Sequence, residues 1–217
     1  MHKLFNKKNI IVYYYNILYY MDNFIFNTIL TIFIIIISYR IYITSESFQL
    51  RCIISDVNGN KYCVRDRAKL EIAADKLANV SLKLNKLIKH LGEKYPEKDN
   101  VKRLVKGYNP RKIYETLPTS EYTAYSENKG EKIAFCLDTE KNSKGRIIDD
   151  NTLMYVALHE VSHIATKSIG HSDEFWTNYK FILTEAKKIN IYNPVDYKNN
   201  PARYCGMNIT DNPYFDY

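Results

Sequence analysis

With 217 residues, a net charge of +7 and only seven glycines, the chain is long enough for one domain with a real core, and glycine-loop nucleotide-binding signatures have little to stand on. Lys3, Lys7, Lys8 and Arg40 against Asp22 account for +3 of that charge, and the +4 that remains after residue 45 is spread without a long basic run. Such a balance neither requires nor excludes a nucleic-acid partner, and no internal repeat or serine-nucleophile motif is present.

In chain order, an N-terminal segment (residues 1–23) comes first, with a tyrosine- and isoleucine-rich run from Asn9 to Tyr20 that is too short to cross a bilayer by itself. Met21 is an alternative start. Phe24 to Ile43 is nearly all apolar, and twenty residues at about 1.5 Å each reach the hydrocarbon thickness of about 30 Å. Arg40 lies near one end, where its side chain can snorkel to the headgroups. No Ala-x-Ala-like cleavage site follows, so residues 24–43 read as a single membrane anchor in preference to a cleaved signal or a buried helix. Basic residues flank the span on both sides, which leaves its orientation open.

Residues 46–217 form the remaining domain. Asn58-Gly59 is a strong hairpin signal and joins predicted strands 51–55 and 61–65, which sets Cys52 facing Cys63. That pair is either a disulfide, if the domain lies in an oxidising compartment, or two buried thiols; with Cys136 and Cys205 three pairings are possible. Arg67 to Tyr95 reads as a long amphipathic helix with Leu70, Ala74, Leu77, Val80, Leu84, Leu87 and Leu91 on one core-facing stripe. A shorter helix over 99–106 ends at Gly107. Strands 122–126 and 132–137 meet across Asn128-Lys129-Gly130.

The next stretch carries the chemistry. Three of the five histidines, His159, His163 and His171, fall within thirteen residues. His159 and His163 are four apart with Glu160 between, the HExxH pattern: on a helix, positions i and i+4 share a face, so both imidazoles can reach one metal ion. Asp149 to Thr152 supply cap residues and first-turn carboxylates, and Leu153, Val156, Leu158, Val161 and Ile164 supply apolar positions, which predicts a buried helix over 151–168. Gly170 breaks it, His171 follows in the turn, and Ser172 or Asp173 caps a second helix over 174–189. The tail from Asn193, with Pro194, Pro201 and Pro213, reads as loop.

The string from His159 to Trp176, HEVSHIATKSIGHSDEFW, resembles the zinc metallopeptidases of the WLM and SprT-like group over about residues 150–190. The segment 119–137 and the tail from Arg203 resemble proteins of large DNA viruses. The metallopeptidase resemblance implies a small α+β, zincin-like domain with a short mixed or antiparallel sheet, the motif helix and a following helix. It further implies Zn2+ held by His159, His163 and His171, with Glu160 as general base. The spacer before the third histidine is slightly longer than in common members, so Asp173 or Glu174 is the alternative third ligand. Three ligands leave the fourth zinc position open, as a catalytic site needs. The expected partners are a peptide or protein substrate and a membrane through residues 24–43. Lys132–Leu137 is the expected cleft-edge strand, where a peptide can add by backbone hydrogen bonds. An oxyanion-stabilising role stays open among Tyr192, Tyr197, Tyr204 and Tyr214. Two alternatives accompany this reading: a non-catalytic zinc-binding or scaffold membrane protein, and a soluble protease acting on DNA-associated proteins.

Overall fold

No glycine or proline interrupts residues 7–44, and the computed structural model, which describes residues 7–141 and 146–216, turns them into one continuous helix, α1 (Lys7–Thr44). The run from Asn9 to Tyr20 is therefore the first part of the same helix as the apolar stretch; residues 1–6 of the expected N-terminal segment lie outside the described residues. Helix α1 is long and apolar enough to cross a membrane over Ile11–Thr44 and is exposed over residues 11–42. A one-turn helix α2 (Glu46–Gln49) follows. The chain divides into two compact units, the first ending at Phe48 and the second spanning Gln49–Tyr217.

The second unit is α+β with a mixed sheet. Strands β1 (Leu50–Ile54) and β2 (Lys61–Arg65) form the expected hairpin, and Gly59 adopts the positive φ of +70° that the turn requires. Helix α3 (Leu70–Lys94) buries the expected stripe, Ala74, Leu77, Val80, Leu84, Leu87 and Leu91. Helix α4 (Asp99–Gly107) leads into β3 (Ile113–Glu115), which runs parallel to both β2 and β5 (Lys132–Phe135). Strand β4 (Ala124–Glu127) pairs antiparallel with β5, giving the order β1-β2-β3-β5-β4. Helix α3 packs on β1, β2 and β3, and α5 (Asp150–Ala165) on β5 and β4; α3 and α5 touch each other, with α4 and α6 (Asp173–Lys188) against both. One continuous apolar core fills the layer between helices and sheet.

Two sequence expectations differ from the structure, and one strand was not anticipated. Strand β5 lies between β3 and β4, so Lys132–Leu137 is not an edge; the exposed edges are β1 and β4. Strand β3 has only three residues, too few to show a period of two, and it completes the sheet as a parallel bridge. The tail is not all loop: β6 (Ala202–Tyr204) and β7 (Met207–Ile209) form a hairpin, and a 3-10 turn covers Pro213–Phe215. Its two-residue turn, Cys205-Gly206, has both φ values positive (48° and 84°), the twist that two-residue hairpins favour.

All four cysteines are paired, Cys52 with Cys63 across β1 and β2, and Cys136 with Cys205 between the end of β5 and the β6–β7 turn. Beside the second disulfide, the buried Arg65 guanidinium donates to the carbonyls of Thr116, Leu117 and Lys141, while Arg67 pairs with Glu115 and Asp138. This charged group ties the end of β2 to the segments that follow β3 and β5.

Candidate metal centre

Asp149 caps α5 by accepting from the backbone N–H groups of Asn151 and Thr152, at 3.1 and 2.8 Å. The helix starts where its cap dictates and runs to Ala165, placing His159 and His163 one turn apart on one face. Helix α6 begins at Asp173, capped by the Ser172 hydroxyl, and the intervening turn brings His171 back over α5. The three histidines converge. His163 Nε2 lies 3.2 Å and His171 Nε2 3.0 Å from His159 Nε2, and one ligand atom from each residue falls within 4.8 Å of the others. Zinc–nitrogen bonds of about 2.0–2.1 Å in a tetrahedral arrangement separate neighbouring ligand atoms by about 3.3 Å, so this donor set fits one such ion.

Electrostatics keep two of the rings in their ligand form. Burial first, then the neighbouring imidazoles, holds His159 down at about 3, and burial, His171 and Lys129 hold His163 at about 4, so both are neutral at pH 7. Phe175 packs against all three rings, stacked on His163 with centroids 4.4 Å apart and edge-on to His159 and His171 at 4.9 and 4.7 Å. Tyr179 meets His159 from the core side, and the half-exposed Trp176 lies against His171. The aromatic residues after the third histidine thus form the floor and rim of the cluster.

Glu160, next to His159 in sequence on α5, is buried, 5% exposed, and its carboxyl forms no hydrogen bond among the described residues. Burial alone pushes it up to about 8.

Glu174 is not part of the converging set. Its carboxylate accepts from the N–H groups of Lys167 and Ser168 and pairs with Arg103, fastening the turn that carries His171. Asp173 lies in the first turn of α6 and is not part of the converging set. Among the tyrosines considered for an oxyanion, Tyr204 is fully buried and donates to the Thr123 carbonyl while accepting from the Cys136 N–H. Burial, then the charge of Glu160, pushes its phenol up, so it stays protonated. Tyr192 accepts from Asn212, Tyr214 from Lys187, and Tyr197 packs on Tyr155.

Two side chains that the sequence did not single out complete the site. Lys129, in the β4–β5 turn, donates to the carbonyls of His163, Thr166 and Ser168, and Arg103 of α4 donates to that of Ala165. A basic residue three helices or strands away leaves no local signal that it caps a helix. Only the fold brings it there.

No family model matches the chain, and no solved structure matches it. The chain is similar to "Uncharacterized protein R325" of Acanthamoeba polyphaga mimivirus, 32% identical over 161 residues, 72% of this chain and 81% of that protein. It is also similar to "Uncharacterized protein 042R" of Invertebrate iridescent virus 3, 37% identical over 100 residues, 46% of this chain and 57% of that protein. A third relative, "Uncharacterized protein 136R" of Invertebrate iridescent virus 6, is 29% identical over 82 residues, 38% of this chain and 44% of that protein.

Proposed function

The chain belongs to the family of the mimivirus protein R325, and we propose that this viral-type protein is a membrane-anchored zinc metallopeptidase of the WLM and SprT-like zincin kind. The observation that carries the reading is the convergence of His159, His163 and His171, with nitrogens 3.0 and 3.2 Å apart, where the helix of the first two also carries a buried Glu160 without a hydrogen-bond partner among the described residues.

In this reading the three imidazoles hold Zn2+ and leave one position open to water or substrate. When bound, the ion lowers the pKa of a water ligand towards about 7 and polarises the scissile carbonyl. A cation held by the three imidazoles would favour the ionised form of Glu160, against the upward push of burial. Glu160 takes one proton from the attacking water and delivers it to the leaving amine nitrogen as the peptide C–N bond breaks. Phe175 holds the imidazole planes by packing, which leaves the rings little freedom to rotate away.

Substrate is proposed to bind along β4, the edge strand beside α5. The β4–β5 register pairs Tyr125 with Ala134 and Glu127 with Lys132, and the Cys136 N–H donates to the Thr123 carbonyl. By the alternation of an antiparallel ladder, the backbone groups of Ala124 and Ser126 then face outward, where an extended peptide can add as a further strand.

The anchor is α1. Tyrosines lie on both sides of its most apolar part, Tyr19 and Tyr20 on one and Tyr39 and Tyr42 on the other, all exposed. Tyr20 and Tyr39 are nineteen residues apart, about 28 Å along a helix, which suits aromatic belts at two membrane interfaces.

The test is metal analysis and a peptide-library screen on the chain and its variants. About one zinc per chain, a large loss in His163→Ala, and cleavage abolished in Glu160→Gln with zinc retained support the proposal. Equal metal content in wild type and His163→Ala refutes the ligand set. Zinc without any Glu160-dependent cleavage makes the protein a zinc-binding scaffold. For α1, release into the soluble fraction by alkaline carbonate refutes the anchor.

A further inference from the structure

We propose that Lys129 is a positioning residue for the metal centre: its ammonium fixes the turn that carries the third histidine, and so ties the β4–β5 hairpin to the ligand set. The inference rests on the metal reading above.

The turn from Thr166 to Ser172 has almost nothing apolar to hold it. Ile169 is 94% exposed, Gly170 has open space around it, and His171 itself is exposed. The His171 ring rests on Phe175 and Trp176, but the backbone of the turn that carries it is held by polar contacts. Those contacts come from the side chains of Glu174, Ser168, Ser172, Arg103 and Lys129. Glu174 takes the N–H groups of Lys167 and Ser168, and the Ser168 and Ser172 hydroxyls lie 2.6 Å apart. Arg103 holds the Ala165 carbonyl at 2.7 Å and Glu174 at 2.9 Å.

Lys129 supplies the rest. Its three N–H donors go to three carbonyls, His163 at 3.2 Å, Thr166 at 2.8 Å and Ser168 at 2.8 Å. The first belongs to a ligand, the second to the residue that ends α5, and the third to the turn. The last carbonyls of a helix lack partners within it, and a cation there also complements the helix dipole. A simple helix cap would stop at α5. Reaching Ser168 carries the restraint out of the helix and along the path to His171.

The backbone geometry is built for this approach. Asn128, Lys129 and Gly130 all have positive φ, at 46°, 56° and 104°. A long side chain in that region is strained and persists only where its surroundings over-determine it. A Cβ added at Gly107 would meet the Lys129 carbonyl oxygen at 2.5 Å, and one at Gly130 would meet the Gly107 oxygen at the same distance. The two glycines let the turn lie directly on the end of α4, with Ile164 of α5 beneath it.

The test uses the full chain in detergent micelles, titrated with Co2+ and then with Zn2+ in competition. The visible cobalt spectrum reports the geometry of coordination. Wild type, Lys129→Met, Lys129→Arg and His171→Ala are compared, with circular dichroism of each metal-free chain as the folding control. The expected result is a 10- to 100-fold weaker metal affinity in Lys129→Met, the range for residues that orient ligands. Its cobalt spectrum is expected to move toward that of His171→Ala, and Lys129→Arg to recover most of both. If Lys129→Met does not fold, Lys129→Gln, which keeps donors of shorter reach, is read by the same criteria. A folded Lys129 variant with wild-type affinity and spectrum, even if less stable, makes Lys129 a helix cap only and overturns the proposal. Absence of metal from the wild-type chain refutes the centre itself, and the role of Lys129 falls with it.

Discussion

Gly107→Ala sets two effects of comparable size against each other, and the structure decides the sign. Gly107 ends α4 and its φ is not positive, so helix propensity favours alanine by up to about 1 kcal/mol. The added Cβ, however, would meet the Lys129 carbonyl oxygen at 2.5 Å and the Ile164 Cγ2 at 2.7 Å. The first contact is with backbone, 0.9 Å inside the 3.4 Å at which ordinary contact begins, and no rotamer change relieves it. The second is with a core side chain pinned between α5 and the hairpin. Such overpacking costs about 1–3 kcal/mol, and a fixed backbone oxygen argues for the upper end. The net is a loss of about 2 kcal/mol, which in a domain of this size lowers the unfolding midpoint by about 4–8 °C. Gly92→Ala is the control. Its Cβ would meet only the Val105 Cγ2, at 3.3 Å, and Val105 is half-exposed and free to give. There, inside α3, propensity wins and the midpoint should rise by about 2–4 °C. Thermal melts of the metal-free chain followed by circular dichroism measure both. A Gly107→Ala midpoint equal to or above wild type would refute the crossing of the hairpin on α4.

Glu185 and the two disulfides give further tests. Burial pushes Glu185 up, but hydrogen bonds from Lys188, His90, Lys94 and Tyr95 outweigh it and hold the group at about 2. Because the folded value is depressed, its contribution is present above the ordinary 4.5 and is lost as pH falls through about 2. The stability gap between wild type and Glu185→Gln, by urea unfolding, should therefore close between those pH values, and a gap that is constant with pH would contradict the network. Cys136–Cys205 closes a separation of 69 residues and Cys52–Cys63 one of 11. Loop-closure entropy then assigns them about 4 and about 3 kcal/mol. The first pair is buried whereas Cys52 is exposed, so mild reductant should open Cys52–Cys63 first, as read by alkylation and peptide mapping. Simultaneous reduction would contradict the burial.

The sequence made legible those parts of the fold whose cause is local. Asp149 at a cap, Gly170 as a breaker and the stripe from Leu77 to Leu91 each act within a few residues, and those helices lie within three residues of expectation at each end. The pair His159 and His163 was legible for the same reason, since its spacing follows from the helical repeat, whereas His171 lies on the turn beyond α5. Strand β3 and the β6–β7 hairpin were not. Three residues carry no pattern, and the hairpin turns on Cys205-Gly206, where a disulfide holds a cysteine at a positive φ that usually favours asparagine or glycine. The cleft edge was misplaced because strand order is a property of pairing, and β5 finds a parallel neighbour 20 residues upstream, with Ile113 to Glu115 opposite Ile133 to Phe135.

For the proposed chemistry, what matters is that strand β4 is fastened at both ends. At its start, the Thr123 carbonyl accepts from the Cys136 N–H and from Tyr204, which is locked in place by the neighbouring Cys136–Cys205 disulfide and senses the charge of Glu160. At its far end, the turn into β5 places Lys129 on the carbonyls of α5 and of the turn leading to His171. A strand that only completed a sheet would need neither tie. Held at both ends, its outward backbone groups at Ala124 and Ser126 stand in a fixed relation to the ligands, so a peptide that paired there would arrive already aligned. Alignment of that kind removes an entropic cost from the reaction itself. It follows that loosening either tie should depress turnover more than substrate affinity, because the outward backbone groups would remain while their registration to the metal ligands was lost.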